Sequence, residues 1–135
     1  RDRARLWIEH DEGSVWKAEY FANTTLSGEP DLVKYEHAIF NDWGLGKPWN
    51  SLPSADHFST RWTRQQTFHA GCYRFGLFAD DGVRLWVDGE LLVSQWHSGR
   101  GTYYSPVTYL SSGVHEVIVE YFESTGEAEI RLWWE

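Results

Sequence analysis

The residues of this sequence best placed to do chemistry are two neighbouring acids, Asp80 and Asp81, followed at once by Gly82. The runs on either side, Cys72–Ala79 and Val83–Asp88, are rich in aromatic and branched residues and predict two strands. A short Asp-Gly connection between such runs is the strongest local signal for a β-hairpin. The sequence therefore predicts two adjacent carboxylates at a hairpin tip, where binding groups are often carried.

A second turn, Asp88-Gly89, lies between the second of these runs and Leu91–Trp96. The whole segment is thus predicted as a three-stranded meander with acids at both turns. A plainer interpretation of the first turn stays open: the aspartates tolerate the turn and Gly82 supplies positive φ, with no ligand involved.

Composition limits what the chain can be. Its 135 residues fit one domain, residues 1–135 with a core over about 15–134, and nine tryptophans are too many for all to be hidden. A net charge of −8 argues against a nucleic-acid partner, and no apolar run suits membrane insertion. Cys72 is the sole cysteine, so no internal disulfide can form, and its place in a strand favours a buried small hydrophobe.

Short strands separated by turns account for most of the sequence. Beyond the meander, the predicted strands are Leu6–His10, Val15–Phe21, Phe58–Phe68, Tyr103–Leu110, Val114–Phe122 and Ala128–Trp134. A turn is expected at Asp11–Ser14 and a flexible polar loop at His97–Thr102. No segment predicts a helix. The predicted fold is all-β, an antiparallel β-sandwich or barrel of about eight to ten short strands with long ordered loops.

Two stretches before the central strands are less regular. Leu32–Phe40 is mixed, with Ile39 and Phe40 expected to point inward. Asn41–Asp56 is too long for an ordinary hairpin loop, so we expect an ordered flap that Trp43 and Trp49 pin to the core.

Catalysis is not expected of this module. A glycosidase needs two carboxylates roughly 5–10 Å apart, one with a raised pKa, and nothing in the sequence pairs an acid with an apolar pocket. No nucleophile elbow or phosphate loop is present. The six histidines lack the close spacing of a zinc site.

Several short blocks along the chain occur in a recognisable order. They are Trp16–Phe21, Leu26–Pro30, Ile39–Gly44, Phe58–Thr63, Ala70–Phe75, Asp80–Gly89 and Val119–Phe122. No single block is specific, but the ordered set resembles the PA14 (protective-antigen-14) domain family over nearly the whole chain. The resemblance implies a β-sandwich module of an extracellular or cell-surface protein such as an adhesin or toxin, or an accessory module of a glycosidase. Its implied partners are a glycan or monosaccharide and the other domains of a longer parent chain.

The resemblance also implies a calcium ion. In sugar-binding members, the acids that match Asp80 and Asp81 are joined by a cis peptide and hold one Ca²⁺, and a later loop adds oxygens and selectivity. The implied metal ligands here are Asp80, Asp81, Glu123 and Thr125; the implied ligand-binding residues are Asp80, Asp81, Trp96, His97, Glu123, Ser124, Gly126 and Glu127. Neighbouring residues of an extended chain point to opposite faces, so the two aspartates would share an ion only across a cis bond. Calcium takes six to eight oxygens, so carbonyls, water or sugar hydroxyls would complete the shell.

Two points of this site stay open in the sequence. The loop at 123–127 lacks the Asn, Asp or Gln that sugar-binding members often carry, so Glu123 and Glu127 fit a solvated turn equally well. Trp96 and His97 fit either a sugar-stacking platform or a packing role. The predicted function is a calcium-dependent carbohydrate-binding module; the alternative is a non-catalytic structural or protein-interaction module without a sugar ligand.

Overall fold

Strands make up the regular structure of this protein, which a computed structural model describes over residues 15–49, 52 and 56–135. The strands are β1 (Trp16–Phe21), β2 (Leu32–Glu36), β3 (Phe40–Gly44), β4 (Phe58–Phe68), β5 (Gly71–Tyr73), β6 (Phe75–Asp80), β7 (Gly82–Val87), β8 (Glu90–Gln95), β9 (Arg100–Tyr104), β10 (Thr108–Leu110), β11 (Gly113–Glu123) and β12 (Ala128–Trp134). The predicted strand Leu6–His10 and turn Asp11–Ser14 lie outside the described residues, as do parts of the Asn41–Asp56 flap. No helix in the described ranges is long and apolar enough to cross a membrane.

The strands form two main sheets that pack face to face. A six-stranded sheet has the order β2-β1-β4-β11-β7-β8, and a four-stranded sheet has the order β3-β12-β6-β9. A small two-stranded sheet pairs β10 with β5. Every pairing is antiparallel, which confirms the predicted all-β antiparallel sandwich.

There are more strands than predicted, because β2 and β3 form in the stretches expected to be mixed or an irregular flap, and because two of the expected strands are divided. Cys72–Ala79 contains most of β5 and β6, and Tyr103–Leu110 contains the end of β9 and all of β10. In each case the chain leaves one sheet and joins another, so one apolar run serves two different pairings. The expected loop at His97–Thr102 is likewise partly strand, because Arg100 to Thr102 pair with β6.

The core is a cluster of large rings between the two sheets. Trp16, Tyr20, Phe58, Trp62, Phe75 and Tyr121 are all 2% exposed or less. Fully burying a large apolar side chain contributes about 1.5–3 kcal/mol, so these rings are a main source of stability. Trp43 and Trp49 meet Tyr20 and Phe58 edge-on, which confirms that they pin the flap.

Two expectations about burial were wrong. Phe40 is 69% exposed while Ile39 is 2% exposed, because neighbouring residues of an extended chain face opposite sides. Cys72 is exposed, because neighbouring residues of a strand face opposite sides and Tyr73 takes the side that packs against Phe68.

Candidate metal and saccharide site

Asp80 and Asp81 lie at a corner where the chain crosses from one sheet to the other. β6 belongs to the four-stranded sheet and β7 to the six-stranded sheet, so the predicted hairpin at this point was wrong. Leu77 and Val83 are both fully buried, and they reach the same core from opposite sides. The chain therefore has to cross the sandwich here. The predicted hairpin at Asp88-Gly89 is confirmed, with φ values of 51° and 80° and paired flanking strands.

The corner is held tightly by β11. The peptide between Asp80 and Asp81 is cis, as the family resemblance implied. The N–H of Asp81 donates to the carbonyl of Phe122 at 3.1 Å, and the Tyr121 hydroxyl donates to the carbonyl of Asp80. A Cβ at Gly82 would lie 2.1 Å from the Phe122 ring, so only glycine fits.

The side chain of Asp81 joins the corner to two loops. It is 4% exposed, and both of its oxygens accept backbone hydrogen bonds. Oδ1 accepts from the N–H of Gly99 at 2.7 Å, and Oδ2 accepts from the N–H of Ser124 at 2.7 Å. Three segments distant in sequence thus meet around one carboxylate.

A third acid completes a cluster at this corner. Carboxylate oxygens of Asp80, Asp81 and Glu123 all lie within 4.8 Å of one another. Glu123 is 0% exposed, and neither of its oxygens has a hydrogen-bond partner. Glu123 is therefore not part of a solvated turn, and its buried carboxyl group requires either a proton or a nearby cation.

The electrostatics of the cluster disfavour three bare negative charges. Burial, and then the neighbouring carboxyl of Asp81, raises the pKa of Glu123 to about 9. Burial and the charge of Asp81 likewise raise the pKa of Asp80 to about 6, against the opposing charge of Arg100. Crowded acids of this kind are the oxygen ligands that a hard divalent cation prefers.

Arg100 lies at the rim of this cluster. Its guanidinium is 3.5 Å from Oδ2 of Asp80, 3.7 Å from Glu127 and 3.9 Å from Glu129. Sequence reasoning missed Arg100 because it was assigned to a loop. Only the pairing of β9 with β6, which sets Arg100 opposite Asp80, brings the two together.

The remaining predicted residues lie around the cluster in different ways. Ser124 supplies the N–H on Asp81, and its carbonyl accepts from His57 N at 3.1 Å. The N–H of Gly126 donates to Oδ1 of Asp56 at 3.1 Å. Thr125 is exposed in the same turn. The glutamate at 127 is 61% exposed by its side chain.

The two aromatic candidates make contacts within the protein. Trp96 packs on Phe122 at a centroid distance of 4.7 Å, and the Arg84 guanidinium lies 3.7 Å from the centre of the Trp96 ring. His97 donates from Nε2 to Gln95 Oε1 at 2.9 Å. Trp96 thus packs on the residue whose carbonyl accepts from Asp81. The sugar-stacking role of Trp96 and His97 stays a prediction.

Comparison with known proteins identifies the family. The model of the PA14 domain matches residues 11–135, so the chain belongs to the PA14 domain family. It is 35% identical over 129 residues to the anti-sigma-I factor RsgI3 of Acetivibrio thermocellus, a match that covers 94% of this chain and 20% of that protein. The chain thus spans about a fifth of the length of the curated relative that it matches.

Solved structures agree on the fold. An anti-sigma factor domain-containing protein superposes with a TM-score of 0.81 at 32% identity, covering 89% of this chain and 42% of that one. A PA14 sugar-binding domain from an RTX adhesin superposes with a TM-score of 0.75 at 20% identity, covering 90% and 89% of the two chains. The second likeness is one of fold, because the identity is low.

Proposed function

We propose that this chain is a non-catalytic, calcium-dependent carbohydrate-binding module of an extracellular or cell-surface protein. The observation that carries the proposal is the carboxylate of Glu123, fully buried and without a hydrogen-bond partner, beside the acids of the corner. An ionised carboxylate in that position is costly unless a cation accompanies it.

The donor set suits calcium. Asp80, Asp81 and Glu123 offer only hard carboxylate oxygens, and the described residues place no histidine or cysteine in the cluster. Asp81 is oriented by two N–H groups, which leaves its remaining lone pairs for an ion. Three carboxylates do not reach six to eight ligands, so a bound Ca²⁺ would offer open positions to sugar hydroxyls. Thr125, which is exposed in the turn after Glu123, is proposed to add a ligand oxygen.

Two fold relatives support a sugar as the ligand. One is the sugar-binding PA14 domain of the RTX adhesin, and the other is the epithelial adhesin 9 A domain of Candida glabrata, which was solved with Galb1-3GlcNAc. The rim of the acidic cluster here carries Arg100 and Glu127, which can donate to and accept from hydroxyls. The opening of the three-acid cluster beside Asp80 is called the acidic mouth. We propose that it is bordered by Ser124, Gly126, Trp96 and His97.

Isothermal titration tests the proposal. Calcium is titrated into the wild-type chain, and a glycan array is then probed with and without calcium. Glu123→Gln should abolish calcium binding, because the amide keeps the shape and removes the charge. Glu90→Gln, an exposed acid at the start of β8, is the matched control and should bind calcium as the wild type does. No heat of calcium binding in the wild type would overturn the proposal.

A second candidate is a structural or protein-interaction module without a sugar ligand. It is favoured by Arg100, which already gives Asp80 a positive partner within the chain. The similarity to anti-sigma factor proteins, whose modules belong to larger chains, is consistent with it. This candidate requires a midpoint of thermal unfolding that is the same in calcium and in chelator, whereas a calcium site raises it.

A further inference from the structure

The outer face of the four-stranded sheet runs from Asp80, at the acidic mouth, to a half-buried tryptophan, Trp133. Along β6 the inward residues Leu77 and Ala79 are fully buried, so Phe78 and Asp80 share the outer face. The antiparallel register sets Trp133 opposite Gly76, four residues from Asp80. At about 3.3 Å per residue, the two ends of this outer face lie roughly 13 Å apart.

Trp133 lies flat on the sheet at the far end of this face. A Cβ at Gly76 would come within 2.4–2.5 Å of three atoms of the indole, so the ring rests directly on the glycine backbone. Tyr104 meets the ring at 81°, with the centroids 6.1 Å apart. Trp133 is half-buried and is not among the residues packed against the core. One face of the indole is therefore covered by the sheet, and the other is turned outward.

In the middle of this face, two arginine guanidinium groups lie over the ring of Phe78. The guanidinium of Arg131 lies 4.8 Å from the centre of Phe78, and that of Arg100 lies 5.5 Å from it. Their side chains are 38% and 54% exposed, and each is also paired with Glu129. Arginine forks and a carboxylate on an exposed surface can donate to and accept from successive hydroxyl groups.

This combination favours a glycan over a protein as the occupant. Protein interfaces are depleted of charge at their centre, whereas here the centre of the face holds Arg100, Arg131 and Glu129 around Phe78. A flat aromatic face matches the apolar C–H face of a sugar ring, and hydroxyls match the flanking charged groups.

We propose that this face extends the saccharide site, so that the module binds an oligosaccharide. One sugar lies at the acidic mouth, and a later sugar of the same oligosaccharide stacks on Trp133. The inference rests on the proposed function, because the first sugar is held at the acidic cluster. One sugar ring cannot reach both places, so a monosaccharide uses only the mouth.

The test compares ligands of increasing length. Gluco-, manno- and galacto-oligosaccharides, from the monosaccharide upward, are titrated into the wild-type chain with saturating calcium. Affinity should rise with length until the chain reaches Trp133. In Trp133→Ala, affinity for the longer ligands should fall about tenfold, as expected for one lost aromatic stack. Monosaccharide and calcium affinities should not change, which also shows that the variant folds.

Tyr109→Ala is the matched control, because Tyr109 is 64% exposed on β10 in the separate two-stranded sheet. It should bind every ligand as the wild type does. If calcium and a monosaccharide bind but affinity is independent of length, or unaffected by Trp133→Ala, the extension is refuted and the proposed function stands. If no calcium-dependent sugar binding is seen at all, the proposed function falls and the extension with it. Self-association lost in Trp133→Ala, without any glycan binding, would make the face a protein interface and overturn the inference.

Discussion

Asp81 accepts a hydrogen bond from the backbone N–H of Ser124 at 2.7 Å, across 43 residues of sequence. The bond ties the corner between β6 and β7 to the turn between β11 and β12. The other oxygen of Asp81 binds Gly99 in the same way, so one buried side chain orders both loops around the site. The stability of the corner and the geometry of the proposed binding site therefore depend on the same residue.

Asp81→Ala should lower the free energy of unfolding even in chelator. The substitution leaves the N–H groups of Gly99 and Ser124 without their acceptor, at a cost of about 1–3 kcal/mol. Urea unfolding measures the change. Glu127→Ala, an exposed acid of the same turn, should stay within about 0.5 kcal/mol of the wild type. Equal stability of the two variants would contradict the ordering role.

Arg100→Gln should change two properties in opposite directions. It removes a positive charge 3.5 Å from Asp80, so stability in chelator should fall by about 0.5 kcal/mol, as for an exposed ion pair. Calcium affinity should rise by about two- to fivefold, because the positive guanidinium that repels Ca²⁺ is gone. Calorimetry and thermal unfolding measure both effects.

The control for this variant is Arg74→Gln, which breaks an exposed pair with Glu135 away from the site. It should not alter calcium affinity. A loss of stability in Arg100→Gln with no calcium binding in any variant would favour the structural module without a ligand.

Gly82→Ala should disrupt the corner. The new Cβ would meet the Phe122 ring, and overpacking of a dense site costs about 1–3 kcal/mol. Calcium binding should weaken, because the carbonyl of Phe122 accepts a hydrogen bond from the N–H of Asp81, so a shift of Phe122 moves Asp81. Gly71→Ala is the control, since its Cβ would meet no atom closer than 4.0 Å. Similar thermal midpoints for both variants would show that the corner is less constrained than the contact implies.

His115 should give stability a dependence on pH. Its Nδ1 lies 2.5 Å from Oδ2 of Asp88 and its Nε2 lies 2.7 Å from the carbonyl of Ser111, and both partners are acceptors. Only the doubly protonated ring can donate to both. The hydrogen bond to Asp88 raises the pKa of His115 above its usual value. Stability from this group is therefore complete below about pH 6.5 and is lost as pH rises through the higher, folded-state pKa.

The Asp88 carboxyl gives stability a second dependence on pH, in the acidic range. Partial burial opposes ionisation, but the hydrogen bonds from His115 and from the backbone N–H of Glu116, together with the charge of His115, outweigh it, so the pKa of Asp88 is lowered. Its contribution is present above the ordinary pKa and is lost as pH falls through the folded-state pKa. In His115→Gln both dependences should flatten, by about 0.5–1 kcal/mol because Asp88 is half-exposed to solvent. Urea unfolding at several pH values checks this, and an unchanged profile would contradict it.

The sequence was sufficient for the class of fold and for the bounds of four long strands. Period-two alternation placed β4 and β12 at their observed bounds and β1 and β11 within a residue, because a strand with one buried face repeats every second residue. It also singled out Asp80, Asp81 and Glu123, through their match to a known family. The pinning role of Trp43 and Trp49 could be predicted because a long irregular flap needs such anchors.

Only the tertiary structure decided how those elements are used. An Asp-Gly turn between two strands looks the same to local rules whether it closes a hairpin or crosses a sandwich; the choice depends on which partners the strands find, β9 and β12 for β6 but β8 and β11 for β7. For the same reason Arg100 could not be placed beside Asp80, nor Trp133 over Gly76, because both neighbours arise from strand pairing across distant sequence. The buried state of Glu123 likewise depends on packing, since burial belongs to the assembled sandwich and not to any one segment.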